Sequence, residues 1–92
     1  MIKSYKCKET LKLKSTGKSK KFKAFERLAL RKLDMLDAAV SVESMRIPPG
    51  NRLEALHGKR EGQWSIRINN QWRVCFKWHD GHAYDVEVVD YH

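Results

Sequence analysis

Beyond Arg52 the sequence alternates between apolar and polar residues in three runs, and this period of two constrains the fold more than any other feature. The runs occupy residues 64–68, 72–78 and 82–92, and the pairs Asn-Asn and Asp-Gly separate them. Such alternation is typical of β-strands with one buried face, and both pairs suit the positive φ angles of two-residue hairpins. The pattern predicts a three-stranded antiparallel meander with one apolar face and one polar, open face.

The apolar face of this meander is expected to contribute most of the core. Its tryptophans recur at strand spacing, which favours a role in the core over a role as stacking platforms for bases. The predicted apolar face comprises Trp64, Ile66, Ile68, Trp72, Val74, Phe76, Trp78, Tyr84, Val86 and Val88.

Residues 21–45 carry apolar side chains at steps of three and four, which predicts one long amphipathic helix. Two prolines after Ile47 mark its end, because proline cannot continue a helix.

Alternation in residues 1–7 predicts a first strand, and Glu9–Leu13 suits a single helical turn. Together these elements predict an α+β fold in one domain, residues 1–92, with the N-terminal strand and helices packed on one face of a small antiparallel sheet. The apolar stripe of the long helix comprises Phe22, Phe25, Ala29, Leu33, Leu36 and Val40.

The composition argues against a secreted, membrane-spanning or metal-dependent protein. No apolar run approaches the roughly 18 residues of a membrane span. No signal-peptide pattern follows Met1, and Cys7 and Cys75 match no disulfide or metal spacing. His79 and His82 flank the Asp-Gly turn without an evident third metal ligand. We therefore expect a cytoplasmic protein that needs no metal and no other cofactor.

The charge of the chain indicates a polyanionic partner. Nineteen Lys and Arg residues against eleven Asp and Glu residues give a formal net charge of +8. Nine of the lysines lie within residues 1–23, where Glu9 is the only acidic residue. A field of this sign favours nucleic acid or an acidic protein as partner, although a lysine-rich surface can also serve solubility alone.

The polar face and the last residues of the final strand contain the residue types that RNA cleavage would require. Arg73 lies at a polar-face position, and Asp90 and His92 share one face if the strand continues, with Tyr91 on the other. A guanidinium matches the oxygens of a phosphate, and a carboxylate beside an imidazole suits proton transfer from the 2′-OH and to the leaving 5′ oxygen. These residue types also occur on ordinary protein surfaces, so their spacing alone does not decide between a catalytic site and a solvated polar surface.

Several motifs resemble one family over essentially the whole chain. Leu-x-x-Leu-x-Gly, Trp-Ser-Ile, Trp-Arg-Val-x-Phe and Asp-Tyr-His occur in this order, after an opening Met-Ile-Lys-Ser-Tyr. In this the sequence resembles the HigB group of the RelE/ParE toxin superfamily, the plasmid-maintenance killer proteins. The resemblance implies a RelE-like domain that enters the ribosome and cleaves mRNA without metal by attack of the 2′-OH. It also implies a helix-turn-helix antitoxin of the HigA type as partner, and operator DNA as an indirect one.

The resemblance assigns the catalytic positions to Arg73, Asp90, Tyr91 and His92. Two further family positions, often His and Lys, correspond here to Glu54 and His57. Contacts to RNA of the 70S ribosome and to mRNA are expected from Lys59, Arg60, Arg67, Lys77, Lys18, Lys20 and Lys21. Two alternatives stay open, namely a ParE-like inhibitor of DNA gyrase and a non-catalytic basic module that binds nucleic acid.

Overall fold

The computed structural model describes residues 1–90 of the chain. Its sheet has four antiparallel strands in sequence order: β1 (Glu54–Ala55), β2 (Gln63–Arg67), β3 (Trp72–His79) and β4 (His82–Asp90). The predicted meander is therefore confirmed as β2 to β4, and the α+β class is confirmed with it. The two-residue strand β1 was not predicted, because two residues are too few to show an alternation.

Two α-helices cover the apolar face of the sheet, and both differ in length from the expectation. Helix α1 (Lys8–Thr16) is longer than the predicted single turn, and helix α2 (Glu26–Ala38) is shorter than the predicted helix. The backbone becomes extended at Ala39, and Ser41 then caps a separate 3-10 turn by accepting a hydrogen bond from the Ser44 amide. Val40 is consequently 83% exposed, so its predicted place on the apolar stripe is wrong.

The predicted N-terminal strand is present as two isolated parallel bridges to the edge of β4. Ile2 pairs with Ala83, and Tyr5 pairs with Val86. The Ile2 amide also donates a 2.8 Å hydrogen bond to the Asp37 carboxylate at the end of α2. The first residues therefore join the outer strand to the helix layer.

The core lies between the helices and the apolar face of the sheet, as the two periodicities predict. Fully buried side chains come from both layers, and each contributes roughly 1.5–3 kcal/mol relative to an exposed one. All three tryptophans pack against this core, which confirms their predicted role. The residues of 0% exposure in this core include Leu13, Phe22, Leu33, Leu36, Ile66, Val74, Phe76 and Val86.

A bulge in β4 changes which side chains share a face. Cys75 lies opposite Glu87, but Lys77 lies opposite Tyr84, so one extra residue is inserted in β4 between these pairs. Asp85 takes a positive φ of 51° there. Tyr84 therefore faces the same side as Lys77, and the prediction that it shares a face with the valines of β4 is wrong. From the bulge to Asp90 the alternation is unbroken.

Candidate active site on the polar face of the sheet

The register of the strands brings one polar row together across the whole sheet. Glu54, Ser65, Cys75 and Glu87 lie opposite one another on β1, β2, β3 and β4. Residues directly opposite in antiparallel strands project to the same face. The neighbouring row on β2 and β3 holds Arg67 opposite Arg73. The polar face thus gathers two arginines and two carboxylates.

Arg73 lies on this face near the hairpin between β2 and β3 and is only 8% exposed. Its Nε donates to the Ser65 hydroxyl at 2.8 Å, and its Nη2 donates to the Arg52 carbonyl at 2.6 Å. The same Nη2 forms an ion pair of 3.2 Å with the Glu54 carboxylate. The face was expected to be open, and around Arg73 that expectation is wrong, because the segment before β1 and β1 itself cover it.

The partners of Arg73 fix the direction in which its guanidinium points. Ser65 is fully buried, whereas the Glu54 side chain is 54% exposed. An arginine fork binds carboxylates and phosphates with the same geometry. An incoming phosphate can therefore replace the Glu54 carboxylate, while the Ser65 and Arg52 bonds continue to orient the guanidinium.

Beside Arg73, Cys75 is fully buried between charged groups. Burial raises the pKa of the Cys75 thiol to about 11, with smaller opposing effects from neighbouring charges. The thiol is therefore neutral near pH 7 and does not act as a nucleophile.

Arg60 forms an ion pair of 2.8 Å with Glu87 and a hydrogen bond of 3.2 Å with Gln63. This predicted RNA ligand is thus held against the sheet.

His57 lies on the exposed segment that follows β1, immediately before a 3-10 turn formed by Gly58–Arg60. Lys59 is exposed in that turn. Within residues 1–90, no hydrogen bond or ion pair joins His57 to Arg73. The imidazole is accessible to a ligand that reaches the polar face from the β1 edge.

Asp90 lies on the other side of the sheet from Arg73. It is opposite Trp72, the neighbour of Arg73 in β3, so its side chain leaves the sheet on the helix face. One carboxylate oxygen accepts a 2.8 Å hydrogen bond from the Gln71 side-chain amide. The structure therefore does not bring the side chains of Asp90 and Arg73 together. Tyr91 and His92 lie outside the described residues, and the convergence of the His92 imidazole with the Arg73 guanidinium stays a prediction.

The other predicted RNA ligands fall into two groups. Arg67 and Lys77 are on the polar face, where Arg67 bonds the Asn70 side chain and Lys77 pairs with Asp85 at 3.4 Å. The other group follows α1, where Phe22 packs edge-on against Trp72 with ring centroids 5.6 Å apart. This contact places the lysine-rich segment near the end of β4. The exposed lysines of that segment are Lys18, Lys20 and Lys21.

Two of the groups that hold Arg73 were missed by the sequence reasoning. Ser65 could have been found, because the Trp-Ser-Ile motif places its hydroxyl at a polar-face position next to the Arg73 row. The Arg52 carbonyl has no signal in the sequence, since its position depends on a left-handed residue with φ of 45°.

Among residues 1–90, no three His, Cys, Asp or Glu side chains are grouped to hold a metal ion. The helices within residues 1–90 lack the length and the hydropathy of a bilayer-spanning segment.

The arrangement of the helices and the sheet is that of the RelE-like toxins. The YoeB–YefM toxin–antitoxin complex from Staphylococcus aureus contains a similar chain, with a TM-score of 0.58 and 17% sequence identity over 100% of this chain and 98% of that one. Residues 8–92 match the family described as the RelE-like toxin of the type II toxin–antitoxin system HigB, and the chain belongs to this HigB-like toxin family.

Two relatives similar in sequence to this chain carry the name HigB. Toxin HigB-1 of Vibrio cholerae is 50% identical over 60 residues, which cover 65% of this chain and 63% of that protein. Endoribonuclease HigB of Proteus vulgaris is 44% identical over 41 residues, which cover 45% of each chain. The matched part therefore spans less than two thirds of either relative.

Proposed function

We propose that this protein is the toxin of a type II toxin–antitoxin system and cleaves mRNA on the ribosome. The observation that carries the proposal is the buried guanidinium of Arg73, whose half-exposed anionic partner Glu54 can give way to a phosphate. The family and the relative named an endoribonuclease support the same activity. Cleavage proceeds by attack of the ribose 2′-OH on the adjacent phosphate and needs no metal.

Arg73 binds the scissile phosphate and stabilises the charge that develops on it. Its bonds to Ser65 and to the Arg52 carbonyl orient the guanidinium before RNA arrives, so little reorganisation is needed during the reaction. This preorganisation is the contribution of the described residues to catalysis.

We assign the proton transfers to Asp90 and His92, with His57 as the competing candidate for either one. Tyr91 positions the RNA, and stacking on a base would contribute roughly 1–3 kcal/mol. Since Asp90 lies on the helix face, the RNA strand has to pass the end of β4 for Asp90 and Arg73 to act on one phosphate. The contact between Phe22 and Trp72 brings the lysine-rich segment after α1 close to that path. We assign the exposed lysines of this segment to contacts with the RNA backbone.

The ribosome is the assigned partner in the cytoplasm, and a helix-turn-helix antitoxin of the HigA type is the second partner. That antitoxin links the toxin to operator DNA. Since the lysines act through phosphates, we expect ribosome affinity to fall with salt, with a slope of about 0.7 per single-strand phosphate neutralised. An affinity that stays constant between low and moderate salt contradicts this part of the proposal.

A translation extract tests the proposal directly. Wild-type toxin is expected to generate mRNA with new 5′ ends in the reading frame, and both Arg73→Ala and removal of His92 are expected to abolish them while ribosome binding persists. Arg46→Ala is the matched control, because Arg46 forms an ion pair with Glu43 on an exposed turn. Intact mRNA together with gyrase-trapped DNA breaks would indicate the gyrase inhibitor instead. Binding and toxicity that survive removal of His92 would indicate the non-catalytic module.

A further inference from the structure

Lys32 is a buried, positively charged residue, and no acidic side chain in the described part of the chain pairs with it. The residue is on α2 and only 8% exposed, and its ammonium donates a 2.6 Å hydrogen bond to the Asn51 side-chain oxygen. Among residues 1–90, no carboxylate lies within ion-pair distance of it. Burying a charge against a neutral amide is unfavourable, so the stability of the fold does not explain this lysine.

The surroundings of Lys32 add to that cost. Burial lowers the pKa of the Lys32 ammonium, and the positive charges of Arg31 and Arg67 lower it further. Arg67 belongs to the row of the polar face that contains Arg73. Lys32 thus belongs to the helix layer and yet is close enough to Arg67 of the polar face for that charge to act on it.

Asn51 is the link between Lys32 and that site. It is fully buried, and its side-chain amide donates a 3.0 Å hydrogen bond to the Met45 carbonyl and contacts the Met35 sulfur at 3.1 Å. Both ends of the Asn51 side chain are therefore fixed. The next residue, Arg52, has the left-handed φ and provides the carbonyl that accepts from Arg73 at 2.6 Å.

We propose that Lys32 is a positioning residue for Arg73. Its hydrogen bond to Asn51 anchors the segment of residues 48–54 to α2, and this segment places the Arg52 carbonyl and the Glu54 carboxylate on the guanidinium. A helix on the apolar side of the sheet thereby sets the geometry of an arginine on the polar side. The catalytic part of this inference rests on the proposed ribonuclease function, whereas the structural link to Arg73 does not.

The first test follows Arg73 itself and needs no RNA. In Lys32→Met the apolar stem is retained and the anchor is lost. Solvent exchange of the Arg73 Nε–H, observed by heteronuclear NMR, is expected to accelerate about tenfold, since the covering segment loosens. The backbone amides of Val74 and Phe76 in the core of β3 are expected to keep their exchange rates. An unchanged Arg73 exchange rate, or an equal acceleration at all three residues, overturns the inference.

The second test separates positioning from a general structural role. Lys32→Met is expected to reduce the single-turnover cleavage rate on ribosomes about tenfold in the wild-type background. The same substitution is expected to change the rate less than about twofold in Arg73→Lys, because a residue that acts through Arg73 has little left to position there. Equal losses in both backgrounds, or none in the wild type, overturn the inference.

The control is Lys14→Met. Lys14 joins α1 to α2 through ion pairs with Asp34 at 3.2 Å and with Asp37 at 3.8 Å, and within residues 1–90 it has no hydrogen bond or ion pair to the segment of residues 48–54. We expect this variant to lower the melting temperature without changing the cleavage rate per folded molecule. If wild-type toxin fails to cleave mRNA, the proposed function fails, and the exchange rate of Arg73 still decides the structural link.

Discussion

The Glu54 carboxylate lies 3.2 Å from the Arg73 guanidinium, and the two residues belong to adjacent rows of the sheet's polar face. The arginine is almost buried, and the glutamate is half exposed. In the proposed function, the Glu54 carboxylate therefore occupies the place that the scissile phosphate would take. Glu54 would then both neutralise the arginine and compete with RNA for it.

Removing this competition is expected to strengthen RNA binding. In Glu54→Gln the charge is lost while an acceptor for Arg73 remains, so the ribosome dissociation constant should fall by about two- to fivefold, as for loss of a partly exposed ion pair. Equilibrium binding at fixed salt measures the effect. Glu43→Gln is the matched control, because Glu43 pairs with Arg46 on an exposed turn. Unchanged binding combined with a hundredfold loss of cleavage would instead identify Glu54 as the general base.

The Ser65 hydroxyl is expected to stabilise both the fold and the site. Ser65→Ala leaves the buried Arg73 Nε without its acceptor, which costs about 1–3 kcal/mol of unfolding free energy. Urea denaturation measures this cost. Ser15→Ala is the control, since the Ser15 hydroxyl bonds a helix carbonyl in an exposed position, and its effect should stay within about 0.5 kcal/mol. A Ser65→Ala variant as stable as the control would show that water replaces the hydroxyl.

The strands and the core could be predicted because they depend on local periodicity. Alternation placed Trp64, Ile66 and Val74 on the buried face, and the structure confirms it. Local periodicity fails where one residue shifts the register. The bulge at Asp85 puts Tyr84 on the polar face, and no feature of the alternating sequence announces it.

The candidate site was predictable only in part, for a similar reason. The position of Arg73 on the polar face follows from alternation, but its environment depends on contacts between residues far apart in the chain. The Arg52 carbonyl reaches Arg73 across 21 positions, and Lys32 reaches Asn51 across 19. The segment of residues 48–54, which provides the Asn51 and Arg52 contacts, has no periodic pattern, so the sequence alone predicted an open face where the structure has a covered one.

The Cys75 thiol gives a prediction for alkaline pH. Its folded-state pKa of about 11 exceeds the ordinary value of 9.0, so the unfolded chain loses this proton first. The stabilising contribution is therefore complete below about pH 9 and is lost as the pH rises towards 11. The difference in unfolding free energy between wild type and Cys75→Ala should shrink by about 2–3 kcal/mol over that interval. A difference that is independent of pH would contradict the burial of the thiol.

The end of α2 at Ala38 gives a matched pair of substitutions. Leu36 is fully buried and Val40 is 83% exposed, although the helical period places both on one stripe. Leu36→Ala is expected to cost about 2–5 kcal/mol of unfolding free energy, because it leaves a cavity in the core. Val40→Ala should change stability by less than about 0.5 kcal/mol, because the side chain contributes little buried area. Urea denaturation of both variants measures the two costs. A loss of more than 2 kcal/mol for Val40→Ala would mean that the helix continues past Ala39 and that Val40 packs against the core.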